Sequence, residues 1–315
     1  MKKYISYPKI SIVTPNYNKG EFLERAMLSV LDQDYPNLEY IIIEDGSTDG
    51  SIEVVKKYEK FLTYWESRPN KGQISAINRG FSKATGEIIT WLNSDDFYYP
   101  GILRKVAEEF LEDPCLDLLY GDAICVSEEG TPFMKATPRG INLRLLSIDT
   151  YLPQPSTFFK KELIERKGFL DESFVNLFDY DFFIKVFKSG RSRYLPLLMS
   201  GMTISYRDRT FRDWNITVKE CSEVQTKHFG SPSLKMHINS AACEHSKYVP
   251  HLSEEKITLR ISLLGILKYI KHSFYKPIFF LKHSIAVINL CYLRLIRRIW
   301  TWNRIGVKTE RNCGK

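Results

Sequence analysis

Two kinds of apolar segment alternate along the first hundred residues of this 315-residue chain. Short apolar runs typical of buried strands are separated by segments in which apolar side chains recur at helical spacing. The predicted strands lie at residues 9–14, 40–43, 62–65 and 87–92. Because strands that alternate with helices tend to form parallel pairs, this pattern predicts an α/β fold with a mainly parallel sheet flanked by helices.

Polar loops follow three of the predicted strands. The loops at residues 14–18, 44–49 and 93–96 each begin where an apolar run ends. In sheets of this kind, ligands bind beyond the carboxyl ends of the strands, where such loops meet. We therefore expect the three loops to converge on one rim of the sheet and to form the functional site there.

The residue types in the chain restrict the chemistry of these loops. There are six histidines, and all of them lie at or beyond His228. The six cysteines form no C-x-x-C pair and show no zinc-ligand spacing. Acid–base or metal chemistry in the first 227 residues must therefore use carboxylates.

Asp95 and Asp96 are adjacent acids at the end of a predicted strand. Like charges this close are unfavourable unless a cation lies beside them, which points to a metal site. Oxygen ligands without His or Cys suit Mg2+ or Mn2+, whose coordination is completed by water and substrate phosphates. The alternative is structural, with the acids capping the helix predicted at residues 101–112.

A series of short motifs runs through this region: TPNYN at residues 14–18, EDGSTDG at 44–50, NKG at 70–72, AIN at 76–78, ATGE at 84–87 and LNSDD at 92–96. In order and spacing they resemble glycosyltransferase family 2, over about residues 8–210. The resemblance implies the GT-A fold, which is a single nucleotide-binding α/β domain. It also implies an enzyme that transfers a sugar from a nucleotide diphosphate donor with the help of Mn2+ or Mg2+.

The resemblance implies roles for individual residues around the nucleotide. It places Thr14, Pro15 and Tyr17 against the base, although Tyr17 could instead be an ordinary exposed loop aromatic. Either Glu44 or Asp45 accepts a hydrogen bond from the base, since N3–H of uracil is a donor that a carboxylate can accept. Stacking of a base on an aromatic ring is worth about 1–3 kcal/mol. UDP is therefore the preferred nucleotide.

The resemblance also implies substrate contacts for Lys71 and Asn78. It assigns contacts with the ribose and the metal to Asp95 and Asp96. Asn93 stands where relatives often carry a further Asp. The division of roles among the acids of this loop therefore stays open.

The motif FDYDFF at residues 178–183 opens a predicted helix. The resemblance places the catalytic base at Asp179, and we interpret Asp181 as structural or supporting. The alternative for both acids is a favourable interaction with the helix dipole, worth about 0.3–1 kcal/mol. One base on the acceptor side, without a second nucleophile, predicts a single displacement that inverts the anomeric configuration.

Two later segments also match the family. QPSTFF at residues 154–159 suggests the floor of the sugar pocket, where Gln154 is either a substrate contact or an ordinary strand entry. Arg207 matches an Arg of the family, although the His that often follows it is absent. Arg207 is either a diphosphate contact or a partner of surface acids.

The net charge of +8 is unevenly distributed. Residues 256–315 contain thirteen Lys and Arg and one acid, a net of +12, so residues 1–255 carry −4. Because the basic charge belongs to a tail, the chain is not expected to bind nucleic acid. We predict a catalytic domain at residues 1–210, a helical connector at 211–255 and a helical basic extension at 256–315.

The basic extension mixes apolar with basic side chains. Its longest stretch without Lys, Arg or His, residues 284–293, is too short to span a bilayer. We expect this segment to lie in the plane of an anionic membrane surface, with Trp300 and Trp302 in the interface. The alternative is packing on the catalytic domain or on a second subunit of a homo-oligomer. Without a signal peptide, we expect a cytoplasmic enzyme at the inner face of the cell membrane.

The predicted function is inverting sugar transfer to a hydroxyl of a lipid-linked or oligosaccharide acceptor in cell-surface polysaccharide biosynthesis. A sugar nucleotidyltransferase is a rival, but residues 14–20 are not the Gly-rich basic loop that holds a triphosphate. A dinucleotide-dependent oxidoreductase is disfavoured, since no G-x-G-x-x-G follows the first strand. A catalytically inactive membrane-surface adaptor with the same fold differs from the enzyme only in activity.

Overall fold

The computed structural model describes residues 6–69, 71–148, 152–205, 209–233 and 236. The chain divides into two units, Met1–Ser231 and Pro232–Lys315, and the fold described below is that of the first. The basic extension predicted at residues 256–315 lies outside the described residues. Its membrane-surface arrangement therefore stays a prediction.

The described strands form one nine-stranded sheet. They are β1 (Ile10–Asn16), β2 (Leu38–Glu44), β3 (Tyr64–Ser67), β4 (Ile88–Trp91), β5 (Phe97–Tyr98), β6 (Leu118–Val126), β7 (Pro132–Ala136), β8 (Thr157–Lys160) and β9 (Ser192–Thr203). Their order across the sheet is β3-β2-β1-β4-β8-β6-β9-β5, and β7 pairs with β6 outside this path.

The first half of the sheet is parallel. β1 pairs in parallel with both β2 and β4, and β2 pairs in parallel with β3. β8 runs antiparallel to its neighbours β4 and β6, whereas β6 and β9 are parallel to each other. The predicted α/β class is confirmed, and the parallel arrangement holds for the four strands that the sequence pattern locates.

Helices flank both faces of this sheet. Those in the described part of the chain are α1 (Gly20–Leu31), α2 (Ser51–Tyr58), α3 (Gln73–Lys83), α4 (Ile102–Glu112), α5 (Leu143–Leu146), α6 (Glu162–Lys167), α7 (Phe178–Phe187), α8 (Arg209–Arg212) and α9 (Trp214–Phe229). None of these helices is long and apolar enough to cross a bilayer.

The two faces of the sheet have separate apolar layers. On one face, α1, α2 and α4 bury side chains such as Leu23, Val55 and Val106 against alternate residues of β1 and β2. On the other face, α3 approaches β1 closely at Gly80, where an added Cβ atom would lie only 2.2 Å from Val13 Cγ1. A side chain larger than hydrogen at position 80 would therefore force α3 away from the sheet.

Trp91, the last residue of β4, is the centre of an aromatic cluster on this second face. Its ring is nearly parallel to that of Phe183, with centroids 6.2 Å apart and an interplanar angle of 13°. Phe81, Phe159 and Phe178 surround it at centroid distances of 5.9, 6.3 and 6.3 Å. Because two of these rings belong to α7, the cluster holds the start of α7 beside the end of β4.

Candidate active site

Hydrogen bonds join the polar loop after β1 to the loop after β2. The Asn18 amide donates to Ser47 Oγ (2.8 Å), and Asn18 Oδ1 accepts from the Thr48 amide (2.9 Å). The Gly20 amide donates to Asp49 Oδ2 (2.8 Å). Asn18 has a φ of 50°, a left-handed conformation that Asn tolerates better than most residues. The two loops therefore meet at one rim of the sheet, as the sequence predicts.

The Glu44 carboxylate is occupied by its own turn. Its Oε1 accepts from the Ser47 amide (2.7 Å), and its Oε2 accepts from the Gly46 amide (2.9 Å) and from the Ser67 hydroxyl. Glu44 is fully buried, whereas Asp45 is partly exposed at the rim. Of the two acids predicted to reach the base, the geometry favours Asp45, and Glu44 shapes the turn that presents it.

The three residues predicted to contact the base lie at different depths. Thr14 and Pro15 are buried within β1, and the Thr14 hydroxyl lies 3.2 Å from the Tyr40 hydroxyl. Tyr17, in contrast, is 58% exposed. Its ring is accessible to a planar ligand, whereas the side chains of Thr14 and Pro15 support the end of the strand.

Two cations, Lys19 just before α1 and Arg25 within α1, border the turn that carries Asp95 and Asp96. Lys19 Nζ lies 2.8 Å from Asp95 Oδ2. Arg25 Nη2 donates to the Asp95 carbonyl oxygen (2.7 Å) and to Thr203 Oγ1 (2.7 Å). The protein itself therefore supplies part of the positive charge that two adjacent acids require.

Asp96 is more deeply placed than Asp95. Its Oδ1 accepts from the Thr203 amide (3.0 Å), and its Oδ2 accepts from the Asn93 side-chain amide (3.2 Å). Asp96 is buried, whereas 17% of the Asp95 side chain is exposed. Asp95 is thus the acid of this pair that a ligand can reach, and Asp96 ties β9 to the turn.

The chemistry of these two acids fits a hard divalent cation. Both offer only oxygen atoms, and the described ranges contain no group of three or more His, Cys, Asp or Glu that could hold a metal by themselves. Mg2+ and Mn2+ commonly bind one or two carboxylates and complete their coordination with water and substrate phosphates. Asp95 would hold such an ion, which would compete with Lys19 for the carboxylate. Asp96, through its hydrogen bonds to Thr203 and Asn93, would keep the turn that bears Asp95 in place.

Asn93 connects the acid turn to the segment at residues 154–159. Its Oδ1 accepts from Gln73 Nε2 (2.9 Å), and its Nδ2 donates to Asp96 Oδ2 (3.2 Å) and to Gln154 Oε1 (3.3 Å). Gln154 is buried, and its Nε2 donates to the Trp91 carbonyl oxygen (2.7 Å). An aspartate at position 93 could not donate these bonds, so the amide has a structural function here. The same contacts favour a structural role for Gln154.

Asp179 lies in the first turn of α7, directly after Phe178, whose ring packs 6.3 Å from Trp91. Its Oδ1 accepts from the Tyr180 amide (2.7 Å). Burial raises the pKa of Asp179 to about 6; the Tyr180 hydrogen bond opposes this shift, and the charge of Glu220 adds to it. A carboxylate with a pKa near the working pH is well suited to accept a proton from a substrate.

Asp181 is completely buried among basic side chains. Its Oδ1 lies 2.7 Å from His228 Nε2 and 2.9 Å from Lys227 Nζ, and its Oδ2 lies 2.6 Å from Lys185 Nζ. Burial acts to raise the pKa of Asp181, but the hydrogen bonds from His228, Lys185 and Lys227 outweigh it and hold the pKa well below its usual range. This arrangement supports the structural role expected for Asp181.

Asn78 holds a loop on the acceptor side. Its Nδ2 donates to the Leu170 carbonyl oxygen (2.9 Å), and its Oδ1 accepts from the Leu170 amide (2.9 Å). Because both ends of the amide bind Leu170, the structure favours this role over the predicted substrate contact. Lys71 is exposed, and its substrate contact stays a prediction. Arg207 lies outside the described residues.

Lys19 and Arg25 are site residues that the sequence interpretation missed. With Phe22 they form an i, i+3, i+6 series at the start of α1. Both cationic groups lie over the Phe22 ring, 5.6 and 5.7 Å from its centroid. Basic residues at this spacing, directly after the first polar loop, are the signal that could have identified them.

The sequence model of glycosyl transferase family 2 matches residues 11–176, slightly more than half of the chain. The chain belongs to glycosyltransferase family 2. The match spans β1 to β8 and all three polar loops of the rim. It confirms the resemblance predicted from the motifs in those loops.

Curated glycosyltransferases and a polysaccharide synthase align with different parts of the chain. TuaG of Bacillus subtilis (strain 168), named as a teichuronic acid biosynthesis glycosyltransferase, is 35% identical over 133 residues, which are 41% of this chain and 52% of TuaG. An uncharacterized glycosyltransferase of Haemophilus influenzae is 32% identical over 61% of this chain and 76% of its own length. A chondroitin synthase of Pasteurella multocida is 29% identical over 70% of this chain and 22% of that protein. The chain thus spans about half the length of TuaG and a smaller part of the synthase.

Solved structures share the fold at low sequence identity. The chain superimposes on S. aureus TarS 1–349 in complex with UDP-GlcNAc with a TM-score of 0.58 and 17% identity, over 80% of this chain and 79% of TarS 1–349. The mannosyltransferase PcManGT from Pyrobaculum calidifontis, in complex with GDP-Man and Mn2+, gives 0.53 and 20% identity, over 86% and 82% of the two chains. Together with the family match, these likenesses confirm the predicted GT-A fold.

Proposed function

We propose that this chain transfers a sugar from a nucleotide diphosphate sugar to a hydroxyl group of a glycan or lipid-linked acceptor, with inversion at the anomeric carbon. One observation carries the proposal. Trp91 is the last residue of β4 and lies just before the turn that bears Asp95. Its ring packs 6.3 Å from the ring of Phe178, which belongs to the helix that bears Asp179. This contact supports the assignment of Asp95, as the acid of the diphosphate side, and Asp179, as the base of the acceptor side, to one site.

The donor nucleotide is proposed to bind at the rim formed by the loops after β1 and β2. Tyr17 provides an exposed ring for stacking, and Asp45 provides a partly exposed carboxylate for the N3–H of uracil. UDP is the nucleotide that suits this pair. TarS 1–349 was crystallised with UDP-GlcNAc and PcManGT with GDP-Man, so the experiment must compare both nucleotides.

The diphosphate is proposed to lie against Asp95, Lys19 and the start of α1. Asp95 is the residue that would hold Mn2+ or Mg2+ there, and the buried Asp96 would support it within the same turn. When bound, such an ion stabilises the charge that develops on the departing diphosphate. Lys19 Nζ, 2.8 Å from Asp95, would contribute a second positive charge on the same side. Asp96 and Asn93 keep the turn in place through their hydrogen bonds to Thr203 and Gln154.

Asp179 is proposed to be the general base. Its carboxylate removes the proton from an acceptor hydroxyl, whose oxygen then attacks the anomeric carbon opposite the departing nucleotide diphosphate. The raised pKa of Asp179, about 6, matches a base that works near neutral pH. Asp181 is ion-paired with Lys185 and Lys227, and it keeps the helix in place without taking part in proton transfer.

The process in which the enzyme works is proposed to be the assembly of a cell-surface polysaccharide. The names of TuaG and of the Pasteurella chondroitin synthase refer to the synthesis of polysaccharides, teichuronic acid and chondroitin. The basic extension at residues 256–315, with a net charge of +12, is proposed to hold the enzyme at the inner face of the cell membrane, where lipid-linked acceptors are found. Packing of this segment on a second subunit is the alternative.

A panel of nucleotide sugars tests the proposed function. Thermal shift with UDP- and GDP-sugars, with and without Mn2+, selects the donor, and a transfer assay then measures release of nucleoside diphosphate in the presence of a bacterial glycolipid extract. Acceptor-dependent release supports the proposal. Release of pyrophosphate from a nucleoside triphosphate would instead indicate a nucleotidyltransferase. Donor binding without any release would indicate an inactive adaptor.

A further inference from the structure

The chain immediately before α7 presents three successive amides to one carboxylate. Glu220 Oε1 accepts from the Val175 amide (2.6 Å), and Glu220 Oε2 accepts from the amides of Asn176 (2.8 Å) and Leu177 (3.0 Å). Leu177 is the residue that precedes the first turn of α7 and offers no side-chain cap. Glu220, from α9, therefore fixes the backbone that leads into α7, and the amide of the N-cap residue Leu177 is one of the three groups that it satisfies.

Glu220 is only 5% exposed. A buried carboxylate is costly unless hydrogen bonds compensate the lost hydration, and three amide donors do so here. The carboxylate of Glu220 and the amides of the loop therefore depend on each other. Removing the carboxylate leaves three amides, of which that of Leu177 is buried, without their acceptor, and moving the loop leaves a buried charge without its donors.

The side of α9 that carries Glu220 also forms hydrogen bonds with one residue before Asp179 in the sequence and one residue after it. Before Asp179, the Asn176 side chain donates to Thr217 Oγ1 (2.9 Å). After it, Gln225 Nε2 donates to the Tyr180 hydroxyl (3.3 Å). Thr217 and Gln225 lie on the buried side of α9, as Glu220 does. The residues that flank Asp179 are thus fixed from one helix.

We propose that Glu220 is a positioning residue that sets the place and direction of the Asp179 carboxylate for proton transfer. The proposal rests on the assignment of Asp179 as the base. It extends the catalytic machinery from Asp179, which lies just after the residues 11–176 matched by the family model, to a helix that begins at Trp214. A misplacement of about 1 Å at a reacting group can reduce a rate about 100-fold.

The test uses the full chain and compares Glu220→Gln with Glu223→Gln. Glu223 lies on the same helix, is half exposed and is 3.6 Å from Lys219, so its substitution is a matched control for helix and charge. We expect Glu220→Gln to lower kcat in the transfer assay at least about tenfold, with the Kd for UDP and the KM for the donor within about twofold of the control. Glu220→Asp, which keeps the charge, should recover part of kcat.

Asp179→Asn in the same assay separates the two proposals. If Asp179→Asn is inactive and Glu220→Gln keeps a kcat within about twofold of Glu223→Gln, the positioning role is wrong and the base assignment stands. If Asp179→Asn keeps normal turnover, the base assignment itself is wrong, and the positioning role of Glu220, which depends on it, is wrong as well.

A second pair of variants covers the case in which Glu220→Gln does not fold, as judged by loss of UDP binding. Thr217→Val removes the acceptor of the Asn176 side chain, and Gln225→Met removes the donor to Tyr180. Each keeps the carboxylate and the volume of its site. We expect kcat to fall about two- to tenfold in each, with an unchanged Kd for UDP. Wild-type kcat in both, with UDP bound normally, would overturn the proposal.

Discussion

The Lys19 ammonium and the Asp95 carboxylate are joined by a 2.8 Å ion pair across the proposed diphosphate site. The position of Lys19 follows from its neighbours, because Asn18 and Gly20 are each tied to the loop after β2. A divalent cation that binds Asp95 must therefore compete for this carboxylate with a lysine whose backbone the fold holds in place.

We predict that Lys19→Gln lowers the Mn2+ concentration needed for half-maximal UDP affinity. A partly exposed ion pair is worth about 0.2–1 kcal/mol, so the expected change is between about 1.4-fold and fivefold. Calorimetric titration of UDP at a series of Mn2+ concentrations measures it. Lys19→Arg should behave like the wild type, and Lys105→Gln, which breaks an exposed pair with Glu108, is the control. An unchanged or higher Mn2+ requirement in Lys19→Gln would show that Lys19 assists the site without competing for it.

Asp95→Ala is predicted to abolish the effect of Mn2+ on UDP binding, because it removes the accessible carboxylate of the pair. Asp96→Ala should lose the same effect and should also lower the melting temperature, since Asp96 accepts from the Thr203 amide and from Asn93. Calorimetry and thermal unfolding measure the two properties separately. UDP affinity that still responds to Mn2+ in both variants would remove the metal assignment from this turn.

Asp179→Asn is predicted to keep donor affinity and to lose transfer, by about 10²–10⁴-fold, the usual contribution of a general base. The variant should also be more stable at pH 7.5. The folded-state pKa of about 6 lies above the ordinary 3.8, so ionisation of Asp179 disfavours the folded state above pH 6. The expected gain is about 1–3 kcal/mol in the free energy of unfolding, shrinking as the pH falls below 6. Denaturant unfolding at pH 5 and 7.5 measures it, and a loss of stability at pH 7.5 would contradict the prediction.

The activity of the wild type is predicted to fall on the acid side of pH 6. Asp179 must be ionised to accept a proton, and its pKa of about 6 places the loss there, with about a tenfold decrease per pH unit well below that value. A profile of kcat between pH 4.5 and 8 tests this. The residual rate of Asp179→Asn should not show this acid limb. A wild-type profile flat down to pH 5 would assign the base to another group.

Removal of the residues after Glu255 is predicted to abolish binding to anionic liposomes without affecting UDP affinity. Attraction to an anionic leaflet is worth roughly 1 kcal/mol per Lys or Arg near the surface, and the removed segment contains thirteen of them. Co-sedimentation with anionic and with neutral vesicles, at low and high salt, provides the measurement. Aggregation or loss of UDP binding in the shortened protein would favour packing of the segment on protein instead.

Local pattern is sufficient to predict the first half of the fold. β1 to β4 are apolar runs separated by helices of clear periodicity, and they pair with one another in parallel, as strands that alternate with helices usually do. The second half could not be predicted in the same way. β8 is inserted between β4 and β6 and runs antiparallel to both, a pairing between distant segments that local propensity does not encode.

The site, like the fold, could be predicted from the sequence only in part. The loops that carry Tyr17, Asp45 and Asp95 are predicted to converge because they follow neighbouring strands. The sequence does not reveal that the Glu44 carboxylate faces the amides of its own turn, or that Asn78 binds Leu170, because these contacts depend on the direction of backbone groups after folding. Glu220 is still harder to predict, since it lies more than forty residues from the amides that it accepts.

The dependence of α7 on α9 determines where this enzyme can be recombined with a relative. A chimaera whose junction falls between residues 187 and 214 would combine the helix that bears the proposed base from one parent with the supporting helix of the other. The three amides before α7 would then face whatever side chain the second parent carries at position 220. Exchange of acceptor specificity within the family should therefore transfer both helices together, with the junction placed in the loop before β8.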